Sequence, residues 1–308
     1  MGLKGFLLFP GQGAQEVGMA RDAYEAGGHA QALFEEASEI LGFDLPELVF
    51  SGTAETLAQT ENCQPALLVA SIALLETLRE RRKLAITGAA GLSLGEYTAL
   101  VALDAIDFAD AVRLVRRRGE LMENSGRGKD TGMSSVLGLD AAQVEAICRE
   151  ASAAGMVVAA NFNSPGQVVI SGDQNGLAKA AELAKAAGAK RVLPLKVSAA
   201  FHSPVMNEAR DGLRQALADV SIREPNGLFI NNADAKAMSD PEEIRDSLAR
   251  QVVSTVRWEE SCRLLSAKGE KFCYEIGPGS VCKGLLKRID STVEVTGISS
   301  VDDIEKLQ

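Results

Sequence analysis

Short apolar runs alternate along this chain with longer stretches in which apolar residues recur at helical spacing. The run Leu84–Ala90 predicts a buried strand, and the stretch Glu96–Leu103 that follows it predicts a helix. The apolar residues before Pro10 predict the first buried strand, because proline and glycine end the run too early for the hydrophobic region of a secretion signal. Strands that alternate with helices are typical of an α/β protein with a mainly parallel sheet.

Residues 126–198 follow a different order, which predicts a second, smaller domain. Their segments run strand, helix, strand, strand, helix, strand, as in a ferredoxin-like fold: Met133–Leu139, Ala141–Ala154, Met156–Asn161, Gln167–Ser171, Gln174–Ala187 and Arg191–Val197. The polar, glycine-rich stretch Ser125–Asp130 precedes them and indicates a domain boundary. We therefore expect a βαββαβ domain over 126–198, inserted into a large α/β domain formed by 1–125 and 199–308.

Composition disfavours several classes of protein. The 308 residues are 24% charged and 46% hydrophobic, as in an ordinary globular protein, and no apolar stretch is long enough to span a bilayer. With 42 acidic against 32 basic side chains the net charge is −10, which disfavours nucleic acid as a partner. The five cysteines are scattered without a C-x-x-C pair, which is typical of reduced thiols in the cytoplasm rather than of a metal site or a disulfide framework.

The most informative motif is Gly91-Leu92-Ser93-Leu94-Gly95, of the form G-x-S-x-G, between the predicted strand and the predicted helix. A serine in such a tight turn projects its hydroxyl out of the backbone, and the flanking glycines tolerate the bend. Backbone N–H groups at the start of the helix can stabilise an oxyanion. The pattern favours Ser93 as a nucleophile, although a glycine-rich turn with an ordinary serine has the same sequence.

A serine nucleophile needs a base, and the chain has only two histidines, His29 and His202. His29 lies in a polar, glycine-marked segment before the predicted helix Ala30–Leu41, which is typical of a solvated surface residue. His202 follows the apolar run Val192–Val197, so it lies in a strand-end loop of the kind that often presents catalytic groups. A lone histidine is more often structural than catalytic, but elimination leaves His202 as the candidate base for Ser93.

One charged residue of the amphipathic helix predicted over Phe108–Met122 is out of place. At about 100° per residue, Arg118 projects between Leu114 and Leu121 on one side and Met122 on the other, inside the apolar arc. A buried guanidinium without a partner is costly, so Arg118 should meet a carboxylate of another element, reach the surface, or grip a substrate carboxylate with two parallel hydrogen bonds. Periodicity alone leaves the structural and the functional interpretations open.

Several short motifs, by their order and spacing, resemble those of malonyl-CoA:acyl-carrier-protein transacylases over nearly the whole chain. They are Phe9-Pro10-Gly11-Gln12-Gly13-Ala14-Gln15, Gln64-Pro65-Ala66-Leu67, Ser93-Leu94-Gly95-Glu96-Tyr97, Arg118-Gly119, Asn161-Phe162-Asn163-Ser164-Pro165-Gly166-Gln167, Phe201-His202-Ser203 and Glu275-Ile276-Gly277-Pro278-Gly279. The resemblance implies an α/β-hydrolase-like large domain with an inserted ferredoxin-like domain, in agreement with the alternation of strands and helices.

The resemblance also implies the roles of the reacting groups. Ser93 corresponds to the nucleophile and His202 to the general base. Gln251 corresponds to the residue whose backbone carbonyl orients the imidazole in place of a triad aspartate. The backbone N–H groups of Gln12 and Leu94 correspond to the oxyanion hole.

A second set of residues is implied to bind the acyl group. Arg118 corresponds to the arginine that binds the malonyl carboxylate, and Gln64 and Asn163 match polar positions that line the family's cleft. Phe201, next to the base, goes with malonyl within the family, where methylmalonyl-selective domains typically have serine. The chain departs from the family's common Gly-His-Ser-x-Gly elbow by carrying Leu92 in place of the histidine, so the resemblance fixes neither the hydrogen bonding of the cleft floor nor the strictness of acyl selection.

The implied activity is transfer of the malonyl group from malonyl-CoA to the phosphopantetheine thiol of acyl carrier protein through malonyl-Ser93, in fatty acid biosynthesis or trans-acting polyketide synthesis. No cofactor beyond this substrate and no metal is implied. Carrier proteins are acidic, so docking on an acidic chain needs a local basic patch, for which the candidates are Lys190, Arg191, Lys283, Lys287 and Arg288. Two alternatives are an acyl hydrolase that clears carrier proteins, whose relatives typically lack the arginine, and a non-catalytic protein that docks them.

Overall fold

The computed structural model describes residues 2–307, which contain ten strands in two separate sheets. The strands are β1 (Leu3–Phe9), β2 (Leu84–Gly91), β3 (Thr131–Leu137), β4 (Val157–Ser164), β5 (Gln167–Asp173), β6 (Arg191–Pro194), β7 (Leu228–Ile230), β8 (Ala237–Met238), β9 (Phe272–Ile276) and β10 (Glu294–Ile298).

Fourteen α-helices connect these strands within the described residues. They are α1 (Arg21–Glu25), α2 (Gly28–Leu41), α3 (Leu45–Phe50), α4 (Ala54–Ala58), α5 (Thr60–Arg81), α6 (Gly95–Ala102), α7 (Phe108–Gly126), α8 (Ala141–Ala151), α9 (Gln174–Ala186), α10 (Asn207–Ala218), α11 (Pro241–Gln251), α12 (Trp258–Ala267), α13 (Val281–Ile289) and α14 (Val301–Glu305). None of the helices within residues 2–307 has the length and apolar character needed to cross a membrane.

The larger sheet has the order β10-β9-β1-β2-β7-β8, and only the short edge strand β8 runs antiparallel to its neighbour. The central strands are apolar on both faces, as expected for a sheet that helices cover on both sides; Phe6–Phe9 of β1 are fully buried. Strands β1 and β2 end side by side, with Phe9 opposite Gly91. Because the carboxyl ends of parallel strands share one edge, the loops after β1, β2 and β7 meet there.

The smaller sheet is antiparallel and has the order β4-β5-β3-β6. With α8 after β3 and α9 after β5, this is the βαββαβ order of a ferredoxin-like fold. The predicted fold class is therefore confirmed: a mainly parallel sheet carries an inserted antiparallel one. The boundaries at 126 and 198 stay predictions, and the strands and helices of the smaller sheet run from Thr131 to Pro194.

Several predicted elements differ by a few residues from the observed ones, among them the last strand of the insertion and helix α7. The last strand of the insertion was expected to reach Val197 but ends at Pro194, and only Leu195 beyond it still donates to β3, through its N–H to Met133 O at 2.9 Å. Helix α7 runs on from Met122 to Gly126, so it ends next to the polar stretch that precedes β3.

The two sheets are joined close to the site described below. Val256, which precedes α12, accepts a hydrogen bond from Phe162 N at 2.9 Å and donates one to Ala160 O at 2.8 Å, so β4 pairs with the segment between α11 and α12. Arg288 of α13 donates to Gln167 Oε1 at the start of β5, at 2.8 Å. These contacts hold the smaller sheet against the carboxyl edge of the larger one.

Candidate active site

Ser93 lies at the apex of the turn between β2 and α6, with its backbone in the left-handed region at φ 56°. Both flanking glycines are required by close packing. A Cβ atom at Gly91 would lie 1.9 Å from the backbone of Gly95, and one at Gly95 would lie 2.3 Å from the carbonyl oxygen of Phe9. The turn is therefore tight enough to project the Ser93 hydroxyl away from the sheet, as in a nucleophile elbow.

The Ser93 hydroxyl lies against the imidazole of His202, with Oγ 2.8 Å from Nε2. The other ring nitrogen, Nδ1, lies 3.0 Å from the backbone carbonyl oxygen of Gln251. A carbonyl can only accept a hydrogen bond, so Nδ1 carries the proton and Nε2 is left free to accept one from Ser93. Burial and the nearby Arg118 cation lower the pKa of His202 to about 4, so the imidazole is neutral near pH 7.

Two backbone N–H groups beside Ser93 have no hydrogen-bond acceptor among the described residues, those of Gln12 and Leu94. Both residues border the same cavity as Ser93. The N–H of Ser93 itself is not available, because it donates to Asn232 Oδ1 at 2.6 Å. Gln12 and Leu94 can therefore supply two donors to an oxyanion that develops next to Ser93.

Arg118 lies on α7 beneath the elbow, and its side chain is only 2% exposed. Nη1 donates to Gln64 Oε1 at 2.7 Å, while Nη2 donates to Gln251 Oε1 at 2.7 Å and to Ser93 Oγ at 3.0 Å. All three partners are neutral, and the guanidinium also lies over the ring of Tyr97, 5.4 Å from its centroid. Arg118 thus neither reaches the surface nor pairs directly with a described carboxylate, which leaves it able to bind an anion beside the nucleophile.

A buried polar cluster supports Arg118 and the elbow from behind; its members are Gln64, Glu96, Arg118, Asn232 and Gln251. The Gln251 side chain donates through Nε2 to Ser93 O at 2.9 Å and also to Glu96 Oε2. Asn232 donates through Nδ2 to Gly91 O at 2.8 Å. Glu96 is fully buried, and desolvation raises its pKa to about 7.

The cavity in front of Ser93 has a volume of about 200 Å³ and lies between the two sheets. Apart from the residues already described, its lining includes Leu92, Met122, Met133, Asn161, Asn163, Gln167, Val169, Leu195, Val197, Phe201, Val281 and Leu285. Asn163 Oδ1 is buried without a described partner, so it is available to a substrate donor. Among residues 2–307 no group of three or more His, Cys, Asp or Glu side chains is arranged to hold a metal ion.

The structure brings nearly all of the residues predicted from sequence to this cavity: Ser93, His202, Gln12, Leu94, Arg118, Asn163 and Phe201 border it, and Gln251 lies directly behind His202. Gln64 is the exception. It is fully buried and does not border the cavity, because the guanidinium of Arg118 lies against it. His29 is remote from the site, with its side chain 72% exposed and Nδ1 2.6 Å from Glu80 Oε1.

Sequence reasoning missed Glu96, Asn232 and the side-chain contacts of Gln251. A signal existed for two of them. Glu96 is a charge at the start of an otherwise apolar helix, the same anomaly that singled out Arg118. Asn232 follows the apolar strand β7, whose carboxyl end lies beside that of β2, where polar side chains gather in α/β proteins.

The family comparison defines the chain as an acyl transferase, a class that the fold and the geometry of the site suit. Residues 6–306 match the family described as "Acyl transferase domain". That match covers nearly the whole chain, including both sheets.

Comparisons with individual relatives show which family of acyl transferases the chain belongs to. The chain is 43% identical over 292 residues to the malonyl CoA-acyl carrier protein transacylase of Escherichia coli K12, with 95% of this chain and 94% of the relative covered. Its structure is similar to that of the acyl-carrier-protein S-malonyltransferase of Burkholderia pseudomallei 1710b, with a TM-score of 0.95, 42% identity and coverage of 99% and 98%. It is also similar to a malonyl-transacylase solved in complex with its type II PKS acyl-carrier protein, with a TM-score of 0.94, 40% identity and 98% of each chain covered. The chain belongs to the malonyl CoA-acyl carrier protein transacylase family.

Proposed function

We propose that this chain transfers the malonyl group of malonyl-CoA to the phosphopantetheine thiol of an acyl carrier protein through a malonyl-Ser93 intermediate. One observation carries the proposal. The Ser93 hydroxyl lies 2.8 Å from a neutral imidazole and 3.0 Å from a buried guanidinium that has no carboxylate partner of its own. A nucleophile beside a cation without a direct carboxylate partner suits an acyl donor that carries a carboxylate.

The first half of the reaction acylates the enzyme. Ser93 Oγ attacks the thioester carbonyl while His202 Nε2 accepts its proton, and the Gln251 carbonyl stabilises the resulting imidazolium through Nδ1–H. The N–H groups of Gln12 and Leu94 bind the oxyanion of the tetrahedral intermediate. Collapse breaks the C–S bond, and the leaving CoA sulfur takes the proton from His202.

The second half returns the enzyme to its first state. The phosphopantetheine thiol gives its proton to His202 and attacks the malonyl-Ser93 ester, and the same two N–H groups bind the second oxyanion. Collapse breaks the C–O bond, and Ser93 Oγ recovers the proton from the imidazolium. No group outside the chain and its two substrates is needed for this balance.

Arg118 selects the acyl group in this proposal. In the empty site Nη2 donates to Ser93 Oγ, and acylation removes that hydroxyl as an acceptor. Gln64 and Gln251 then still accept one hydrogen bond each from Nη1 and Nη2, which leaves a second hydrogen on each of these nitrogens for the malonyl carboxylate. Phe201 and Asn163, on the cavity wall, are placed to contact the rest of the acyl group.

The acylation step is tested by intact mass after mixing enzyme and malonyl-CoA. The wild-type protein should gain the mass of one malonyl group, and Ser93→Ala should gain none. Ser261→Ala, at a buried serine of α12 that hydrogen-bonds only backbone carbonyls, is the matched control and should still be malonylated. A malonyl adduct on Ser93→Ala would overturn the mechanism, and release of free malonate faster than transfer would favour the hydrolase instead.

Arg118→Ala tests selection. It should lower kcat/KM for malonyl-CoA by roughly 10²-fold or more, as expected for loss of a buried charge-assisted hydrogen-bond pair, and lower that for acetyl-CoA much less. Arg116→Ala, two residues away on the partly exposed side of α7, is the matched control. Equal losses for both donors would give Arg118 a structural role only.

Carrier docking is proposed for the face around α13. Lys283, Lys287 and Arg288 are exposed on this helix, and its first residue, Val281, borders the cavity. Reversal of charge in Lys287→Glu should raise the carrier KM at low salt and leave the malonylation rate from CoA unchanged. The five cysteines are free and buried, which supports our proposal that the reaction occurs in the cytoplasm.

A further inference from the structure

Glu96 is a buried carboxylate that the proposed mechanism does not use. It is fully buried in the first turn of α6, three residues after the nucleophile, and its Oε1 has no described hydrogen-bond partner. Its Oε2 accepts from Gln251 Nε2 and, at 3.4 Å, from the backbone N–H of Asn232. A buried carboxylate with one unpartnered oxygen is costly, so a role for it is expected.

Glu96 and Arg118 are bridged by a single side chain. The amide of Gln251 donates to Glu96 through Nε2 and accepts from Arg118 Nη2 through Oε1 at 2.7 Å. In the empty enzyme the two charges therefore partly compensate each other through one neutral group, inside a region shielded from water. The cluster holds one cation and one acid.

A malonyl group adds a second carboxylate to that one cation. Arg118 lies between Glu96, behind the elbow, and the cavity in which the acyl group is held. Two carboxylates that share one buried guanidinium leave one negative charge uncompensated, which is unfavourable at low dielectric. An acetyl group brings no such charge.

We propose that Glu96 is the counter-charge of Arg118 in the empty site, and that it takes up a proton from solvent when a malonyl group binds the guanidinium. The inference deepens the proposed function, on which it rests. Glu96 then favours uncharged acyl groups when ionised and carboxylated ones when protonated. It acts through Arg118 and Gln251 and does not touch the substrate.

The surroundings of Glu96 support proton uptake at that position. Desolvation already raises its pKa to about 7, and the Arg118 cation on α7 opposes that shift. The segment after β7 brings Asp234, which also raises the pKa of Glu96 but is itself paired with Arg250 of α11 at 2.9 Å. His202 faces Arg118, and its pKa of about 4 is too low for it to hold a proton near pH 7, so Glu96 is the group that takes up the proton.

The test measures protons directly on the wild-type enzyme. Excess enzyme is mixed with malonyl-CoA or acetyl-CoA at pH 7.0 in weak buffer with an indicator dye, and the adduct is counted by intact mass. With a pKa of about 7 in the empty site, malonylation should take up roughly half a proton per adduct and acetylation none. Release of the CoA thiol is common to both donors, so it cancels from the difference.

Glu96→Gln replaces the carboxyl group by a neutral amide, which mimics protonated Glu96 at every pH. The variant should take up no proton on malonylation, and its ratio of kcat/KM for malonyl-CoA over acetyl-CoA should exceed that of the wild type by about twofold at pH 7 and by roughly tenfold at pH 9, the limit for one pKa unit of charge interaction. In the wild type this ratio should fall as pH rises through 7, because proton uptake opposes malonyl binding above the pKa of Glu96, whereas in the variant it should not change with pH. Glu275→Gln is the matched control: this glutamate is equally buried, but accepts only from Cys282 N and Lys283 N at 2.8 Å each.

The outcomes separate this inference from the proposed function. If malonyl-Ser93 forms with no more proton uptake than acetyl-Ser93, the inference is wrong and the transferase assignment stands. If no malonyl adduct forms on the wild-type enzyme, the proposed function itself is wrong. Should Glu96→Gln not fold, the wild-type proton measurement decides alone.

Discussion

The two sides of the acyl cavity are built from different kinds of contact. Behind Ser93, on the side of the larger sheet, polar side chains hold each other by hydrogen bonds of fixed geometry, as Asn232 does by contacting both Ser93 N and Gly91 O. In front, on the side of the smaller sheet, apolar side chains such as Met133 and Val169 share the wall with the amides of Asn161, Asn163 and Gln167, and Asn163 Oδ1 has no described partner. Chemistry and binding of the malonyl carboxylate by Arg118 therefore depend on the side behind Ser93, and the fit of the rest of the acyl group depends on the side in front.

The difference follows from what each side has to do. Proton transfer and oxyanion binding require donors and acceptors positioned within a few tenths of an ångström, which buried polar groups held by hydrogen bonds provide. A thioester and its methylene need a surface of suitable shape, which apolar side chains provide with more tolerance of change. Substitutions behind Ser93 should therefore affect kcat, and those in front should affect KM.

The largest effect is expected at His202, where the two sides meet. His202→Ala removes the general base and should slow formation of malonyl-Ser93 by roughly 10³-fold in single-turnover experiments. The other histidine supplies the control: His29→Ala, at an exposed side chain paired with Glu80, should be unaffected. Similar losses in both variants would mean that the 2.8 Å contact between Ser93 Oγ and His202 Nε2 has no catalytic role.

A substitution at Asn232 tests whether the polar residues behind Ser93 act by holding the nucleophile in position. Asn232→Ala removes the acceptor for Ser93 N and the donor to Gly91 O, so the elbow should relax and kcat should fall by roughly 10²-fold with little change in the KM for malonyl-CoA. Leaving the buried N–H of Ser93 unpaired should also lower the free energy of unfolding by about 1–3 kcal/mol. Asn226→Ala, at an exposed asparagine bound to Asp104, should change neither quantity.

The pH dependence of kcat/KM tests whether burial and the Arg118 cation keep the His202 imidazole neutral. The pKa of His202 is about 4 in the free enzyme, so the base stays neutral as pH falls through 6.5. Between pH 7.5 and 5.5 kcat/KM for acetyl-CoA should change less than twofold on account of the imidazole, whereas an ordinary histidine would cost about tenfold. A loss centred on pH 6.5 would show that burial and Arg118 do not control this imidazole.

The smallest effect is expected from substitutions on the cavity wall formed by the smaller sheet. Val169→Ala removes two methyl groups from the apolar wall and should raise the KM for malonyl-CoA and acetyl-CoA alike by less than about tenfold, with kcat nearly unchanged. Val168→Ala, at the adjacent position on β5 that faces the core of the smaller domain, should lower stability without this effect on KM. A selective loss of malonyl transfer in Val169→Ala would contradict the division between the two sides.

The parts of the site that sequence could predict are those that break a local pattern. Ser93 lies between glycines at a strand-to-helix turn, and Arg118 interrupts an apolar stripe. Both anomalies can be recognised within a few residues of sequence. The βαββαβ order was also predictable, because each of its segments has a clear period of its own.

The parts that sequence could not predict depend on contacts between distant segments. Gln251 holds His202 by its backbone carbonyl, Arg118 by its side-chain oxygen and Glu96 by its side-chain nitrogen, and none of these contacts leaves a trace in local periodicity. Gln64 was expected on the cavity wall because its position matched the family, yet it lies behind the guanidinium. Which side of a buried cation a polar residue occupies is settled only by packing.

Ser93 and His202 share a left-handed backbone, with φ values of 56° and 55°, although neither is glycine. Such a conformation costs about 1–3 kcal/mol per residue and persists only while its surroundings enforce it. The two reacting groups are thus held in place by tertiary contacts against the preference of their own main chain. Mild denaturant should consequently silence the enzyme before its circular dichroism changes, because the dyad relaxes while both sheets are still intact.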